Sequence, residues 1–250
     1  MKSTTQPNSV STVIVVTGAG KGIGEAFVKQ LILELRSRPE VFKNPKLVLT
    51  SRTQSDLINL EAICAEASIA CIIVPLELTL APFEPIQQAI RHFGKVDALI
   101  HCAGVGRFGD FLDLTKEDLE FVMKTNVEAS FLLMQECYRE MKKQQSGTIQ
   151  WVTSIAAEKA LEQSAIYGMS KFAQRGLIEV MRISAYQDGI RITEIKPGAT
   201  YTPMWGDIDQ AMIKKMMKPE DVASAMINAL FLDPRASIEE VVIRPIAGDL

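Results

Sequence analysis

The sequence predicts a doubly wound α/β domain: a mainly parallel, seven-stranded open sheet with helices on both faces. Three observations carry that expectation. Short β-branched runs alternate with longer segments of helical period, the strands are apolar at successive positions, and no linker, repeat or low-complexity run divides the chain. A strand without polar alternation is buried on both faces, which requires helices above and below it. Repeated strand–helix units with right-handed crossovers build that architecture. The 250 residues are read as one domain over 1–250, with 1–10 expected to be flexible.

In order, Thr12 to Thr17 reads as the first strand and Gly22 to Arg36 as the first helix. Lys46 to Ser51 is the second strand, with a helix from there to Ala67. Ile69 to Val74 and Asp97 to Cys102 are strands three and four, separated by a helix from Phe83 to Phe93. Thr115 to Lys142 reads as one long helix, opened by Thr115 as N-cap with Glu117 and Asp118 in its first turn. Thr148 to Thr153 is strand five, Gln163 to Tyr186 helix five and Arg191 to Ile195 strand six. A helix beginning near Pro219 precedes a last strand, Glu240 to Ile243.

Composition excludes several function classes. With 27 Lys and Arg against 30 Asp and Glu, the net charge of −3 gives no basic field for nucleic acid. No run of 18 apolar residues is present, so no membrane span is expected. The polar start, Met1 to Ser9, lacks a signal-peptide core, and a cytoplasmic location is expected. Cys64, Cys71, Cys102 and Cys137 form no Cys-x-x-Cys pair, and His92 and His101 are the only histidines. No metal site is expected, and a Ser-His-acid triad would depend on one of two isolated histidines.

The first strand runs into Thr17-Gly18-Ala19-Gly20-Lys21-Gly22-Ile23-Gly24 and then into a helix. Glycines there allow a tight turn, close approach of backbone to a pyrophosphate and close helix–strand packing, while the helix N-terminus offers unpaired N–H groups. The reading is a Rossmann-type dinucleotide site. Strand two ends Thr50-Ser51-Arg52-Thr53, with Arg52 placed for a ribose 2′-phosphate, no carboxylate expected in its way, and Lys21 adding a second charge. NADPH/NADP+ is therefore the expected cofactor.

Helix five carries Tyr167-Gly168-Met169-Ser170-Lys171, with Tyr and Lys at i and i+4 on one face. A neighbouring cation favours the phenolate, so Lys171 is expected to lower the pKa of Tyr167 toward useful proton transfer. Ser154 ends strand five at the sheet's carboxyl edge, where its hydroxyl and Tyr167 could hold a carbonyl between them.

These features, together with Asn126 in Lys124-Thr125-Asn126-Val127 and the turn Pro197-Gly198, resemble the short-chain dehydrogenase/reductase family across essentially the whole chain. The resemblance implies that Tyr167 is the general acid and that Ser154 orients the carbonyl. It further implies that Lys171 binds the nicotinamide ribose and tunes Tyr167, and that Asn126 places a relay water. It also implies that Pro197, Gly198 and Thr202 line the nicotinamide. Two positions depart from the family pattern: the usual Asn-Asn-Ala-Gly reads His101-Cys102-Ala103-Gly104, and the Asp that touches adenine becomes Glu77, beside Leu78. His101 reads as a core or loop-edge residue rather than a catalyst.

Within the family the chain is most similar to the sepiapterin reductase subgroup. The likeness rests on the long segment Arg36 to Pro45, on Gly104-Val105-Gly106-Arg107-Phe108-Gly109, on Tyr201-Thr202-Pro203-Met204-Trp205 and on Arg244-Pro245-x-x-Gly248-Asp249. It implies NADPH-dependent reduction of a pterin side-chain ketone, with Asp249 anchoring the pterin and Met204 and Trp205 offering apolar faces to the ring. Two alternatives stay open: a general carbonyl, diketone or 3-ketoacyl-thioester reductase, and a non-catalytic NADP-binding sensor. The family also implies a homodimer through the helices at 115–142 and 163–186, and the methionine-rich segment 201–218 is expected to act as a substrate lid.

Overall fold

A computed structural model describes residues 11–38, 42–233 and 235–249; the segment 1–10 and part of Arg36 to Pro45 lie outside them. The strands are β1 (Val13–Thr17), β2 (Lys46–Ser51), β3 (Ala70–Pro75), β4 (Ala98–His101), β5 (Gly147–Val152), β6 (Ile190–Pro197) and β7 (Glu240–Ile243). They form one sheet in the order β3-β2-β1-β4-β5-β6-β7, and every pairing is parallel, so the sheet exceeds the mainly parallel one expected.

The helices are α1 (Gly22–Ser37), α2 (Gln54–Glu66), α3 (Glu84–Phe93), α4 (Lys116–Met123), α5 (Ser130–Gln144), α6 (Ala165–Ala185), α7 (Gln210–Ile213) and α8 (Pro219–Leu230). Alternate side chains of each strand enter opposite layers. Ile14 and Val16 pack with α1, α2 and α8, whereas Val13 and Val15 pack with α3, α5 and α6. Both layers are apolar, which is why β1 reads as an unbroken hydrophobic run.

The long helix expected over Thr115 to Lys142 is interrupted. Thr115 does cap α4, accepting from the Asp118 amide at 3.1 Å while Asp118 answers in a capping box. Between α4 and α5, however, Lys124–Ala129 forms a π-helical turn. The widened turn sets Asn126, fully buried, facing the loop after β4. The Asn126 main-chain oxygen is taken by Gln174 Nε2 of α6 at 2.6 Å, which ties the turn to the neighbouring helix.

His101 ends β4 as a wholly buried cross-link, bonded to Thr17 of β1 at 2.7 Å and to Ser130 of α5 at 2.9 Å, with its ring edge-on to Trp151. Burial holds its pKa near 3, against the usual 6.5, with the Lys171 charge adding to the effect. The imidazole is therefore neutral and structural, as expected for a core histidine. Its unfolded counterpart takes up a proton below about 6.5 while the folded form resists until about 3, so this contribution to stability is full above 6.5 and is lost as pH falls toward 3. His101→Asn, which does not titrate, should lose less stability than the wild type between pH 7 and pH 4. Urea midpoints at both pH values test this, and equal losses in the two proteins would exclude it.

Candidate active site

The order of the sheet reverses between β1 and β4, and the carboxyl ends of those strands open a crevice. Gly18 adopts φ +67°, and a Cβ there would lie 2.7 Å from the Ala103 amide, so the loops after β1 and β4 touch only because the position has no side chain. Gly24 packs its α-carbon face on the Gly18 carbonyl, where a Cβ would stand 2.2 Å away. Lys21, the N-cap of α1, makes no side-chain cap, and the same is true of Thr53 at α2. Both helix starts line a single cavity of about 670 Å³. Uncapped first-turn amides facing a cavity are suited to a phosphate.

That cavity brings together nearly all of the expected residues. Its lining includes Gly18, Lys21, Gly22, Ile23, Gly24, Ser51, Arg52, Glu77, Leu78, Ala103, Gly104, Ser154, Tyr167, Lys171, Pro197, Gly198, Thr202, Met204 and Trp205. Gly20 sits just behind it, against Ser51 and Asp56, and Asn126 lies one layer deeper.

One electrostatic expectation fails. Arg52 and Lys21 are each opposed by a carboxylate: Glu77 approaches Arg52 at 3.8 Å, and Asp56, the third residue of α2, approaches Lys21 at 3.4 Å. The placement of Asp56 opposite Lys21 shows only in three dimensions, through its register in α2. Both cations remain more than half exposed, so the pairs are weakly held and the charges stay available to an anion.

At the other end of the cavity, β5 ends beside Ser154, whose hydroxyl accepts from the Ala156 amide at 3.1 Å and acts on Tyr167 closely enough to lower its pKa. Lys171 Nζ donates to the Val152 carbonyl at 3.3 Å and lies 5.5 Å from the Tyr167 ring centre. Asn126 donates to the Val105 carbonyl at 2.8 Å and to Ser170 at 3.0 Å, and accepts from the Val105 amide at 2.9 Å. Gly104 fills the gap between the two polar groups: a Cβ there would meet Asn126 Oδ1 at 3.4 Å and Lys171 Nζ at 3.5 Å.

The net shift of Tyr167 runs opposite to the expected lowering. Burial raises the Tyr167 pKa, and the Ser154 hydrogen bond offsets this only in part. Lys171 is itself desolvated and drops to about 8, with the nearby Glu194 and Cys102 pulling it back up. Cys102, at the cavity wall, is pushed up to about 12 by burial and is an inert thiol.

Phe108 contributes to the dry surroundings of Tyr167. Its ring stands 5.1 Å from the Tyr167 ring, half exposed at the cavity mouth. Its loop is held by the Gly109 amide donating to the Gln163 carbonyl at 2.9 Å, and by Arg107, which lies over Phe121 at 4.3 Å and pairs with Asp118. Phe108 stood in the sequence among glycines with no mark of its role.

Asp249 does not line the cavity. Its carboxylate is held by Lys159 and Arg244, which keep its pKa low. The segment 201–218 is pinned at its base, where the Tyr201 amide donates to the Met217 carbonyl at 2.9 Å and Trp205 Nε1 to the Thr200 carbonyl at 2.9 Å. Within it, Thr202, Pro203, Met204 and Trp205 reach the cavity.

A Rossmann-type crevice ending in a Ser-Tyr-Lys-Asn group defines the class of dinucleotide-fold oxidoreductases. The family model for short chain dehydrogenases matches residues 12–213, and the chain belongs to that family. It is 42% identical over 240 residues to a sepiapterin reductase of Chlorobaculum tepidum, covering 95% of this chain and 98% of that one. An uncharacterized oxidoreductase of Staphylococcus saprophyticus is 29% identical over 94% of this chain and 97% of its own. Among solved structures, an alcohol dehydrogenase from the archaeon Thermococcus sibiricus, complexed with 5-hydroxy-NADP, shares the fold at a TM-score of 0.85 and 23% identity, covering 96% of this chain and 99% of that one.

Because burial dominates the Tyr167 shift, removing its aromatic cover should relax it. Phe108→Ala is expected to lower the titration midpoint of Tyr167, read by 13C-tyrosine NMR with the resonance assigned by its loss in Tyr167→Phe. An unchanged or higher midpoint would show that Phe108 does not set the solvation of the phenol.

Proposed function

We propose that the protein is an NADPH-dependent ketone reductase whose substrate is the side-chain carbonyl of a pterin. The observation that carries the reductase reading is the continuity of one cavity from the cations Lys21 and Arg52, past the uncapped start of α1, to Ser154, Tyr167 and Lys171. The pterin is supported by the 42% identity to the Chlorobaculum sepiapterin reductase. The residues present fit the dinucleotide: Arg52 and Lys21 would take the 2′-phosphate, the α1 amides the pyrophosphate, and Pro197, Gly198 and Thr202 the nicotinamide end. Solved relatives with NADP bound support the same choice of cofactor. A reduced nicotinamide bound there supplies the hydride.

The chain's own residues manage the proton. Ser154 and Tyr167 both present hydroxyl groups to a carbonyl oxygen, and the raised pKa of Tyr167 keeps the phenol protonated, as a general acid for reduction must be. When the phenol releases its proton to the developing alkoxide, the adjacent Lys171 ammonium stabilises the tyrosinate left behind. Phe108, Met204 and Trp205 wall the opening with apolar surface suited to a flat ring.

For Asp249 to anchor that ring, its carboxylate must leave Lys159 and Arg244, because it does not face the cavity. That placement favours a second reading, a general diketone reductase that makes no use of Asp249.

Outward-facing Phe131 of α5 and Met169, Phe172, Val180 and Ile183 of α6 form an exposed apolar stripe. It supports a homodimer through these helices. The buried Leu133, Met134 and Ile178 of the same helices serve the sheet instead. No described helix is long and apolar enough to cross a membrane. The four free thiols suit a reducing compartment such as the cytoplasm.

Tyr167→Phe should lower kcat for sepiapterin reduction by about 10²- to 10⁴-fold while NADPH still binds, as measured by nucleotide fluorescence. Full turnover in this variant would refute the mechanism. Asp249→Ala should raise the apparent KM for sepiapterin and spare small diketones; equal effects on both substrates, or none on either, would favour the general reductase.

A further inference from the structure

Glu194 is the one wholly buried carboxylate among the described residues that the mechanism above leaves unused. It lies on β6, where Ile190 and Ile192 face the α6 layer and the same alternation turns Glu194 that way. Its Oε1 accepts from the Thr153 hydroxyl at 2.6 Å, whereas Oε2 is buried with no hydrogen-bond partner. Thr153 stands between Val152, whose carbonyl accepts from Lys171, and Ser154, which lowers the Tyr167 pKa.

A carboxylate buried with an unpartnered oxygen is strongly disfavoured unless a cation faces it. Lys171 is buried too, and its ammonium donates to the carbonyl of Val152, the residue next to the Thr153 that holds Glu194; the Glu194 charge acts to raise the Lys171 pKa. We propose that Glu194 is a positioning residue for Lys171: anchored by Thr153 behind the active site, it keeps the buried ammonium charged and in place.

Glu194 is the one carboxylate that acts on Lys171, although Lys196 and Arg175 also act on Glu194. Lys171 is otherwise faced by Tyr167 on its own helix, by the neutral His101 and the protonated Cys102 at the end of β4, and by Asn126 of the π turn. Around Glu194, the carboxylates Glu179 of α6 and Glu240 of β7 bring oxygens within 4.8 Å of its own. Those two are already engaged: Lys196 bonds Glu240 at 2.7 Å and Glu158 at 2.7 Å, Arg175 lies between Glu158 and Glu240, and Arg182 bonds Glu179 at 3.1 Å. Burial and the Glu240 charge raise the Glu194 pKa, while Thr153, Lys196 and Arg175 lower it.

The consequence for turnover rests on the reductase reading, but the charge of Lys171 can be measured without it. Lysine labelled with 13C and 15N reports the Lys171 titration by NMR, the resonance being assigned by its loss in Lys171→Arg. Glu194→Gln should lower that midpoint by about one pH unit, and Glu194→Asp by less. Glu179→Gln removes an equal charge two turns along α6 and should leave the midpoint in place. If Glu194→Gln does not fold, Thr153→Val, which frees the carboxyl from its anchor, should shift the midpoint in the same direction. An unmoved Lys171 midpoint in the folded variant overturns the proposal, as does an equal shift in Glu179→Gln. In turnover, the alkaline limb of kcat should move to lower pH with Glu194→Gln. Wild-type protein without ketone reduction but with the NMR shift intact would reject the reductase reading and keep the role of Glu194.

Discussion

Everything functional in this molecule depends on how closely the backbones after β1 and β4 approach each other. Those strands are neighbours in the sheet although two other strands separate them in the chain, so the connections leave in opposite directions and a crevice forms between them. Gly18 lets the two loops touch, and His101 bolts the ends of the strands to α5. From that junction the α1 amides point one way and Gly104 opens the other, toward Asn126 and Lys171. A wider gap would separate the phosphate-binding end from the proton-donating end.

Burial is the second organising force, and its effect differs along the crevice. At the open end, Lys21 and Arg52 keep their water and pair loosely with Asp56 and Glu77. At the catalytic end, burial pushes Tyr167, Lys171, Cys102 and His101 each toward its neutral form. A phenol kept protonated and a thiol kept protonated are two outcomes of the same dryness. One serves acid catalysis and the other prevents side chemistry.

The sheet was legible in the sequence because local pattern determines it: β-branched runs without alternation, each followed by helical period. The glycine turn, Ser154, Tyr167 and Lys171 were legible because their chemistry depends on short spacings along the chain. What escaped was set by tertiary contacts. The π turn at Lys124–Ala129 exists because Asn126 must meet Val105 and Ser170, which belong to other elements. Asp56 opposes Lys21 across the glycine loop, Phe108 covers Tyr167 from a loop 59 positions away, and Asp249 is claimed by Lys159 and Arg244. The direction of the Tyr167 shift is set by burial, and a spacing of four residues reveals a neighbour but says nothing about solvent.

The π turn also determines which changes this region can tolerate. Each residue of an α-helix advances the chain by about 100° around the axis, so a turn holding one extra residue carries α4 and α5 at a rotational offset that neither helix would adopt alone. Removing any single residue between Lys116 and Ser130 would let the helix relax to uniform winding and swing Asn126 out of reach of Val105. A substitution on the outer surface of the same stretch changes no residue count and so leaves that offset in place. What natural selection has to guard here is the number of residues more than their identity.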